Sequence, residues 1–210
     1  MTAQTQNGKI IVTQWQSLVG DARDERVYDP STIAQLVAVT AVAETKAELP
    51  LIKLARFGNE LSEKGSLRWN GNVVEVFGIE CDYDDGEMAF EEATRRLEDA
   101  GIFSLLYSTP SHTSEAPRWR VLAPFGRGYT DRMADRRNAA IGVIEAVLGI
   151  EFARESRTLS QAFYIGRVFD VDYRYRVLDG RFVDEGLVLP EERPPAPVTS
   201  PVFETASDEV

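Results

Sequence analysis

The sequence predicts an α+β fold in which an antiparallel sheet carries flanking helices and an N-terminal α/β extension. The first observation is the order of patterns in the middle of the chain, where strand, charged helix, strand, loop and strand follow one another. The second is a capped helix signal on each side of that order, at residues 29–32 (Asp-Pro-Ser-Thr) and 130–131 (Thr-Asp). The third is the turn dipeptide Asn-Gly at 70–71, which leads into a strand pattern. These patterns fit one substantial domain.

The individual elements follow from hydrophobic periodicity and turn residues. The predicted strands cover residues 9–12, 51–57, 73–83, 102–108 and 118–123, and the predicted helices cover residues 31–46, 87–100 and 130–148. The segment 51–57 also fits a loop, and 151–165 fits no single pattern. Residues 169–177 and 181–183 are expected to form a terminal hairpin. A proline-rich acidic composition predicts a disordered linker or tail over 189–210, so the folded domain is expected at 1–188.

Composition excludes several classes of protein. The chain has 210 residues with one cysteine and one histidine, which rules out an intramolecular disulfide, a cysteine-based zinc cage and any two-histidine metal or nuclease motif. No apolar run is long enough to span a bilayer, and the polar N-terminus lacks the features of a signal peptide. We therefore expect a cytoplasmic protein with no membrane partner.

Charge is unevenly distributed along the chain. The net charge of −11 disfavours nucleic-acid binding over the surface as a whole. Between residues 117 and 138, however, basic residues predominate: Arg118, Arg120, Arg127, Arg132, Arg136 and Arg137. A basic strip next to an acidic cluster suits an enzyme that acts on phosphates, although solvated surface charge gives the same count. Three of these arginines are predicted to contact a nucleic-acid backbone: Arg132, Arg136 and Arg137.

An acidic row ends the predicted strand 73–83. Strand alternation would point Glu80, Asp82 and Asp84 to one face. Two carboxylates one strand repeat apart, roughly 7 Å, repel by about 2 kcal/mol at an effective dielectric of about 20. A divalent metal, an arginine or open solvent must offset that repulsion. Asp82 and Asp84 are the predicted ligands, with Glu80 or Asp85 as a supplement.

The order of these motifs resembles the catalytic core of the archaeo-eukaryotic primase superfamily, the primase-polymerases of phages and plasmids. The segment Phe-Gly-Ile-Glu-Cys-Asp-Tyr-Asp-Asp-Gly at 77–86 is similar to the first motif of that family, a hydrophobic run ending in Asp-x-Asp. Residues 107–113 (Tyr-Ser-Thr-Pro-Ser-His-Thr) and the Arg-Trp-Arg strand at 118–120 are similar to its histidine motif and the arginine strand that follows. The resemblance covers residues 75–168 and implies an RRM-like sheet of the primase-polymerase type.

The resemblance also implies an activity and a set of roles. The expected reaction is DNA-templated nucleotidyl transfer by a two-metal mechanism, as primase or DNA polymerase, in the replication of a phage, plasmid or mobile element. Asp82, Asp84 and His112 would be catalytic, and Ser111, His112, Arg118 and Arg120 would bind the nucleotide. Mg²⁺ or Mn²⁺ would be held by Asp82, Asp84 and Glu155. The expected partners are a DNA template and primer, nucleoside triphosphates, and a helicase domain or replication protein beyond the linker.

Other interpretations stay open at this stage. The third family motif calls for an acid where this chain has Thr158, and Glu155 is the candidate substitute. Without it, the chain would be a degenerate, non-catalytic relative that binds nucleic acid or nucleotide. Arg118 and Arg120 also fit the solvent face of an edge strand. A tyrosine-dependent nicking initiator fits less well, because its metal needs a pair of histidines.

Overall fold

The computed structural model describes residues 8–189 of the chain. Within this range the strands are, in chain order, β1 (Ile10–Trp15), β2 (Arg23–Tyr28), β3 (Val42–Ala43), β4 (Leu51–Lys53), β5 (Ala55–Phe57), β6 (Val73–Tyr83), β7 (Ser104–Ser108), β8 (Trp119–Tyr129), β9 (Phe163–Tyr164), β10 (Arg167–Val168) and β11 (Tyr175–Leu178). The α-helices are α1 (Gln35–Ala38), α2 (Phe90–Asp99) and α3 (Met133–Leu148). Short 3₁₀ turns cover Lys46–Glu48, Asn70–Asn72 and Arg154–Arg157.

The central layer is a five-stranded sheet with the spatial order β11-β7-β8-β6-β5. Every pairing in it is antiparallel. The run from β6 to α3 follows the order β-α-β-β-α, with β8 lying between β6 and β7, as in the split β-α-β arrangement of RRM-like cores. The predicted α+β class, with an antiparallel sheet and flanking helices, is therefore confirmed.

Side chains alternate between the two faces of this sheet and produce a core on each side. On one face, residues such as Cys81 and Val121 pack with the buried side of α3 in one apolar cluster. On the other face, residues such as Leu105 and Leu122 pack in a second cluster with Val12 of β1. Strand β1 belongs to a second antiparallel sheet of order β2-β1-β4-β9, so this N-terminal sheet covers the face opposite the helices.

Strand β6 pairs with β8 along one edge, and its other edge is only partly paired. Strand β5 pairs with residues Val73–Val76 alone. A Cβ atom at Gly78 would lie 2.7 Å from the carbonyl oxygen of Ala123, so this close approach of β6 and β8 requires glycine. Beyond Val76, the free edge of β6 is covered by the turn Arg154–Arg157 and by a side chain of α3, as described below.

Two sequence predictions about elements are wrong. The helix expected at 31–46 is reduced to the four residues of α1, because the chain leaves the helix to pair β3 with β10. The terminal hairpin does not form: β11 pairs with β7, while Arg181 makes a separate bridge to Ile102. The predicted tail at 189–210 lies outside the described residues apart from Leu189. Across residues 8–189, no helix is both long and apolar enough to cross a bilayer.

Candidate active site at the ends of β6 and β8

An ion pair between β6 and β8 forms the centre of the candidate site. Asp82 and Arg120 are direct cross-strand partners. Arg120 Nε lies 2.6 Å from Asp82 Oδ1, and Arg120 Nη2 lies 3.2 Å from Asp82 Oδ2. The side chain of Arg120 is 4% exposed, and that of Asp82 is 19% exposed. Arg120 is therefore the group that offsets the charge of Asp82, and the planar fork fixes the orientation of the carboxylate.

Further contacts hold Arg120 in place. Its Nη1 donates to the carbonyl oxygen of Tyr164 at 2.7 Å, and its guanidinium lies 5.0 Å from the centre of the Phe163 ring. The hydroxyl of Tyr107 donates to the same Tyr164 carbonyl at 3.0 Å, and burial raises the pKa of Tyr107 to about 12. Since Arg120 is only 3% exposed, it positions Asp82 rather than presenting its fork to solvent.

The backbone of Asp82 is fixed by the turn that covers the free edge of β6. The amide of Asp82 donates to Ser156 Oγ at 3.0 Å, and its carbonyl accepts from the amide of Ala153 at 3.0 Å. Glu155 lies on this turn, and it is exposed. The third candidate ligand thus belongs to the segment that touches Asp82.

The predicted set of three metal ligands is not assembled. Within residues 8–189, no group of three or more histidine, cysteine, aspartate or glutamate side chains is close enough together to hold a metal ion. The joint role of Asp82, Asp84 and Glu155 as metal ligands therefore stays a prediction. In this structure Arg120 engages both oxygens of Asp82, and Glu155 is exposed.

Asp84 lies two residues beyond Asp82 and is exposed. Partial burial and the neighbouring Asp82 carboxylate raise the pKa of Asp84, while Arg118 and Arg120 act in the opposite direction. The pairing of Tyr83 with Trp119 at the end of the ladder brings Arg118 to the same end of the sheet as Asp84. Arg118 is exposed there, with its fork available to an anion.

His112 is tied to the start of β8. Its Nδ1 accepts a hydrogen bond from the amide of Arg118 at 3.0 Å, and its own amide donates to the carbonyl of Thr109 at 3.0 Å. A neutral imidazole held in this way carries its proton on Nε2. The neighbouring Ser111 is exposed on the same loop. Ser111, His112 and Arg118 therefore lie at the end of the sheet that carries the two aspartates.

The three arginines predicted to bind nucleic acid do not form one surface. Arg137 is fully buried, so its prediction as a nucleic-acid contact is wrong. Arg132 and Arg136 lie at the start of α3 and pair with Asp135 and Asp131. They flank the end of β8 where Tyr129 pairs with Val76, and Val76 lies about 20 Å along β6 from Asp82.

A buried charge cluster lies behind the site and was missed by sequence reasoning. Lys53 Nζ lies 2.6 Å and Arg137 Nη1 lies 2.9 Å from Glu80 Oε2, and all three side chains are at most 1% exposed. Arg137 also donates to the carbonyls of Gly78 and Ser156, which spans the free edge of β6. Glu80 is therefore a structural partner and not a supplementary metal ligand.

A helical pattern could have identified Arg137. It shares the buried side of α3 with apolar residues at helical spacing, namely Ala140, Ile141, Ile144 and Leu148. Lys53 carried a similar signal, because it lies within an apolar run at 51–55. In both cases the sequence pattern indicates a buried position, but it does not indicate that Glu80 is the partner.

Comparison with known proteins adds one likeness of fold. No protein-family model matches the chain, and no curated protein matches it. The structure is similar to the AEP domain of the cyanophage S-2L primase-polymerase (PrimPol). The TM-score is 0.46 at 14% sequence identity, over 88% of this chain and 90% of that chain. The chemistry of the site therefore rests on its own side chains.

The buried cluster predicts a dependence of stability on pH. Burial, and then Arg137, lower the pKa of Lys53 to about 8 in the folded protein. An unfolded lysine titrates near about 10.4, so between these values the unfolded state binds more protons, and the free energy of unfolding rises with pH. We expect the difference in this free energy between the wild type and Lys53→Met to rise from about pH 8 to about pH 10.4. Denaturant titrations of both proteins measure it, and a constant difference would contradict the lowered pKa of Lys53 in the folded protein.

Proposed function

We propose that this domain catalyses DNA-templated nucleotidyl transfer at the ends of β6 and β8. The proposed reaction joins the 3′ hydroxyl oxygen of a growing strand to the α-phosphorus of a nucleoside triphosphate and releases pyrophosphate. The observation that carries the proposal is the fixed Asp82–Arg120 pair at the same sheet end as Asp84, Arg118 and His112.

The carboxylates fit one divalent cation rather than a three-acid cage. Mg²⁺ is commonly held by one or two carboxylates together with the phosphates of a substrate. Asp84 offers an exposed carboxylate, and Asp82 offers oxygens that it now shares with Arg120. Asp82 and Asp84 would hold Mg²⁺ or Mn²⁺ together with the triphosphate. A bound ion would polarise the phosphoryl group and increase the acidity of the attacking hydroxyl.

The other side chains have roles that do not depend on the ion. The exposed guanidinium of Arg118 is suited to binding two oxygens of the triphosphate. His112 presents Nε2–H as a donor to a phosphate or sugar oxygen, because its Nδ1 is already occupied. Arg120 maintains the orientation of Asp82 and limits the local negative charge until the substrate arrives.

The same site also supports a second candidate function, a domain that binds nucleotide or nucleic acid without turnover. Two observations favour it: among residues 8–189 no three potential ligands are gathered, and Arg120 engages both oxygens of Asp82. A domain of this kind would bind triphosphate through Arg118 and His112 without requiring a divalent ion.

Primer extension by two variants distinguishes these functions. Asp84 and Asp179 are both exposed, but Asp179 follows Leu178 of β11, at the sheet end opposite the site, so Asp84→Asn and Asp179→Asn make the same loss of charge at a ligand and at a control position. We expect Asp84→Asn to reduce templated extension with Mg²⁺ or Mn²⁺ by about 100-fold or more, and Asp179→Asn to have little effect. Extension by Asp84→Asn at the wild-type rate would contradict the proposed function. Metal-independent binding of nucleotide by the wild type, with no product, would favour the second.

A further inference from the structure

Two loops at one end of the N-terminal sheet enclose a groove of about 790 Å³. The loops span residues 16–22, after β1, and residues 58–69, before the turn Asn70–Asn72. We call this feature the loop groove. Leu18, Val19 and Leu61 line it and are 58%, 60% and 60% exposed, respectively. These three large, exposed apolar side chains thus lie together in one concave site, and an apolar patch of this kind is typical of a binding site.

Hydrogen bonds join the two loops that form the groove walls. The amide of Leu67 donates to the carbonyl of Gly20 at 2.9 Å, and Arg68 Nη2 donates to the carbonyl of Leu18 at 2.7 Å. Gly20 has a φ of +70°, and a Cβ there would lie 2.9 Å from Ser66 Oγ, so this join between the loops requires glycine. Trp69 Nε1 donates to the carbonyl of Glu60 at 2.9 Å, which fixes the indole at the groove.

A row of paired residues connects the loop groove with the candidate active site. Trp15, at the end of β1 where the first loop begins, pairs with Leu51 of β4, and Leu51 pairs in turn with Tyr164 of β9. The Tyr164 carbonyl accepts from Arg120, the partner of Asp82. Strand β4 therefore lies between the start of the first loop and β9, which contacts Arg120.

The chemistry of the groove suits single-stranded nucleic acid. Trp69 provides a ring on which a base can stack, and the aliphatic side chains around it provide apolar contact. Proteins that bind single strands combine aromatic rings of this kind with cations. Lys64 and Arg68 supply two positive charges at the lining, against one negative charge from Glu63. We infer that the loop groove binds the unpaired template strand next to the active site, an inference that rests on the proposed function.

Tryptophan fluorescence tests this inference directly. The chain has three tryptophans. Trp15 and Trp119 are 0% exposed, whereas Trp69 is half-buried at the groove, so Trp69 is the residue able to report a bound base. We expect a single-stranded oligothymidylate to quench the emission of the full-length protein without any metal, and an equivalent duplex to quench it much less. Trp69→Phe should remove this response.

A matched pair of substitutions distinguishes the groove from the rest of the surface. Leu61→Glu places a negative charge in the groove. Val39→Glu makes a similar change outside the groove, at a residue that is 82% exposed. We expect Leu61→Glu to weaken binding of a labelled oligothymidylate, measured by anisotropy, by about tenfold or more, and Val39→Glu to leave it unchanged. Binding that neither quenches Trp69 nor responds to Leu61→Glu would overturn the inference.

These measurements fail independently of the extension assay, because they use no metal and no triphosphate. Quenching without extension would support binding of single strands by the loop groove and contradict the proposed catalytic activity. Extension without quenching would support the activity and contradict binding by the groove. The same measurement also tests one other occupant, the segment of this chain that contains Phe203. A shift in the emission of Trp69 on Phe203→Asp, in protein without DNA, would identify that segment as the occupant and would also overturn the inference.

Discussion

Glu80→Gln is expected to lower the free energy of unfolding by about 3–5 kcal/mol. In the wild type one carboxylate serves two fully buried cations, Lys53 and Arg137, and it also accepts from the amide of Leu54. Although burial raises it, the pKa of Glu80 is held below its usual range by these two cations, so the carboxylate is charged in the fold. The neutral amide would leave two like charges together in a site without solvent.

Chemical denaturation of Glu80→Gln and of Lys53→Met tests this expectation. Lys53→Met keeps a side chain of similar length and leaves the Glu80–Arg137 pair intact, so it should cost much less than Glu80→Gln. Similar losses for the two variants would mean that the carboxylate does not hold the cluster together. The measurements are best made near neutral pH, where Lys53 is mainly charged.

Asp82→Asn is expected to reduce both stability and activity, for separate reasons. The substitution leaves the guanidinium of Arg120 almost buried without its counter-ion, which should cost about 2–3 kcal/mol because Asp82 itself is partly exposed. It also removes a carboxylate proposed to hold the cation, so templated extension should fall by about 100-fold or more.

A second substitution separates the two effects. In Asp82→Asn/Arg120→Gln the unpaired charge is gone, so much of the lost stability should return. Activity should not return, because the carboxylate is still missing. Thermal or chemical unfolding measures the first quantity and primer extension measures the second. Recovery of extension in the double variant would show that Asp82 acts only through the fold.

The sequence predicted the elements that carry the site better than it predicted their partners. Period-two alternation correctly placed Asp82 and Arg120 on strands, since alternation is a local property. It could not give the register that joins them, because register depends on how β6 and β8 pack within the whole sheet. The sequence therefore predicts a nucleotide contact for Arg120 but not its ion pair with Asp82, which the structure shows.

The helix predicted at 31–46 failed for a related reason. Helical spacing there described only the apolar side that α1 buries, at Leu36 and Val37. The continuation at Val42 pairs with a strand that lies more than a hundred positions later in the chain, at Arg167. A pairing of this separation leaves no trace in a local pattern, and tertiary contacts override the local preference.

The partly paired edge of β6 has a consequence for self-association. A long strand with open amide and carbonyl groups is a ready template for another chain. Here those groups are occupied by Arg137, which bonds to Gly78, and by Ala153 and Ser156, which bond to Asp82. The contacts of Ala153 and Ser156 that fix the backbone of Asp82 thus also protect this edge from pairing with another chain, together with Arg137 of α3.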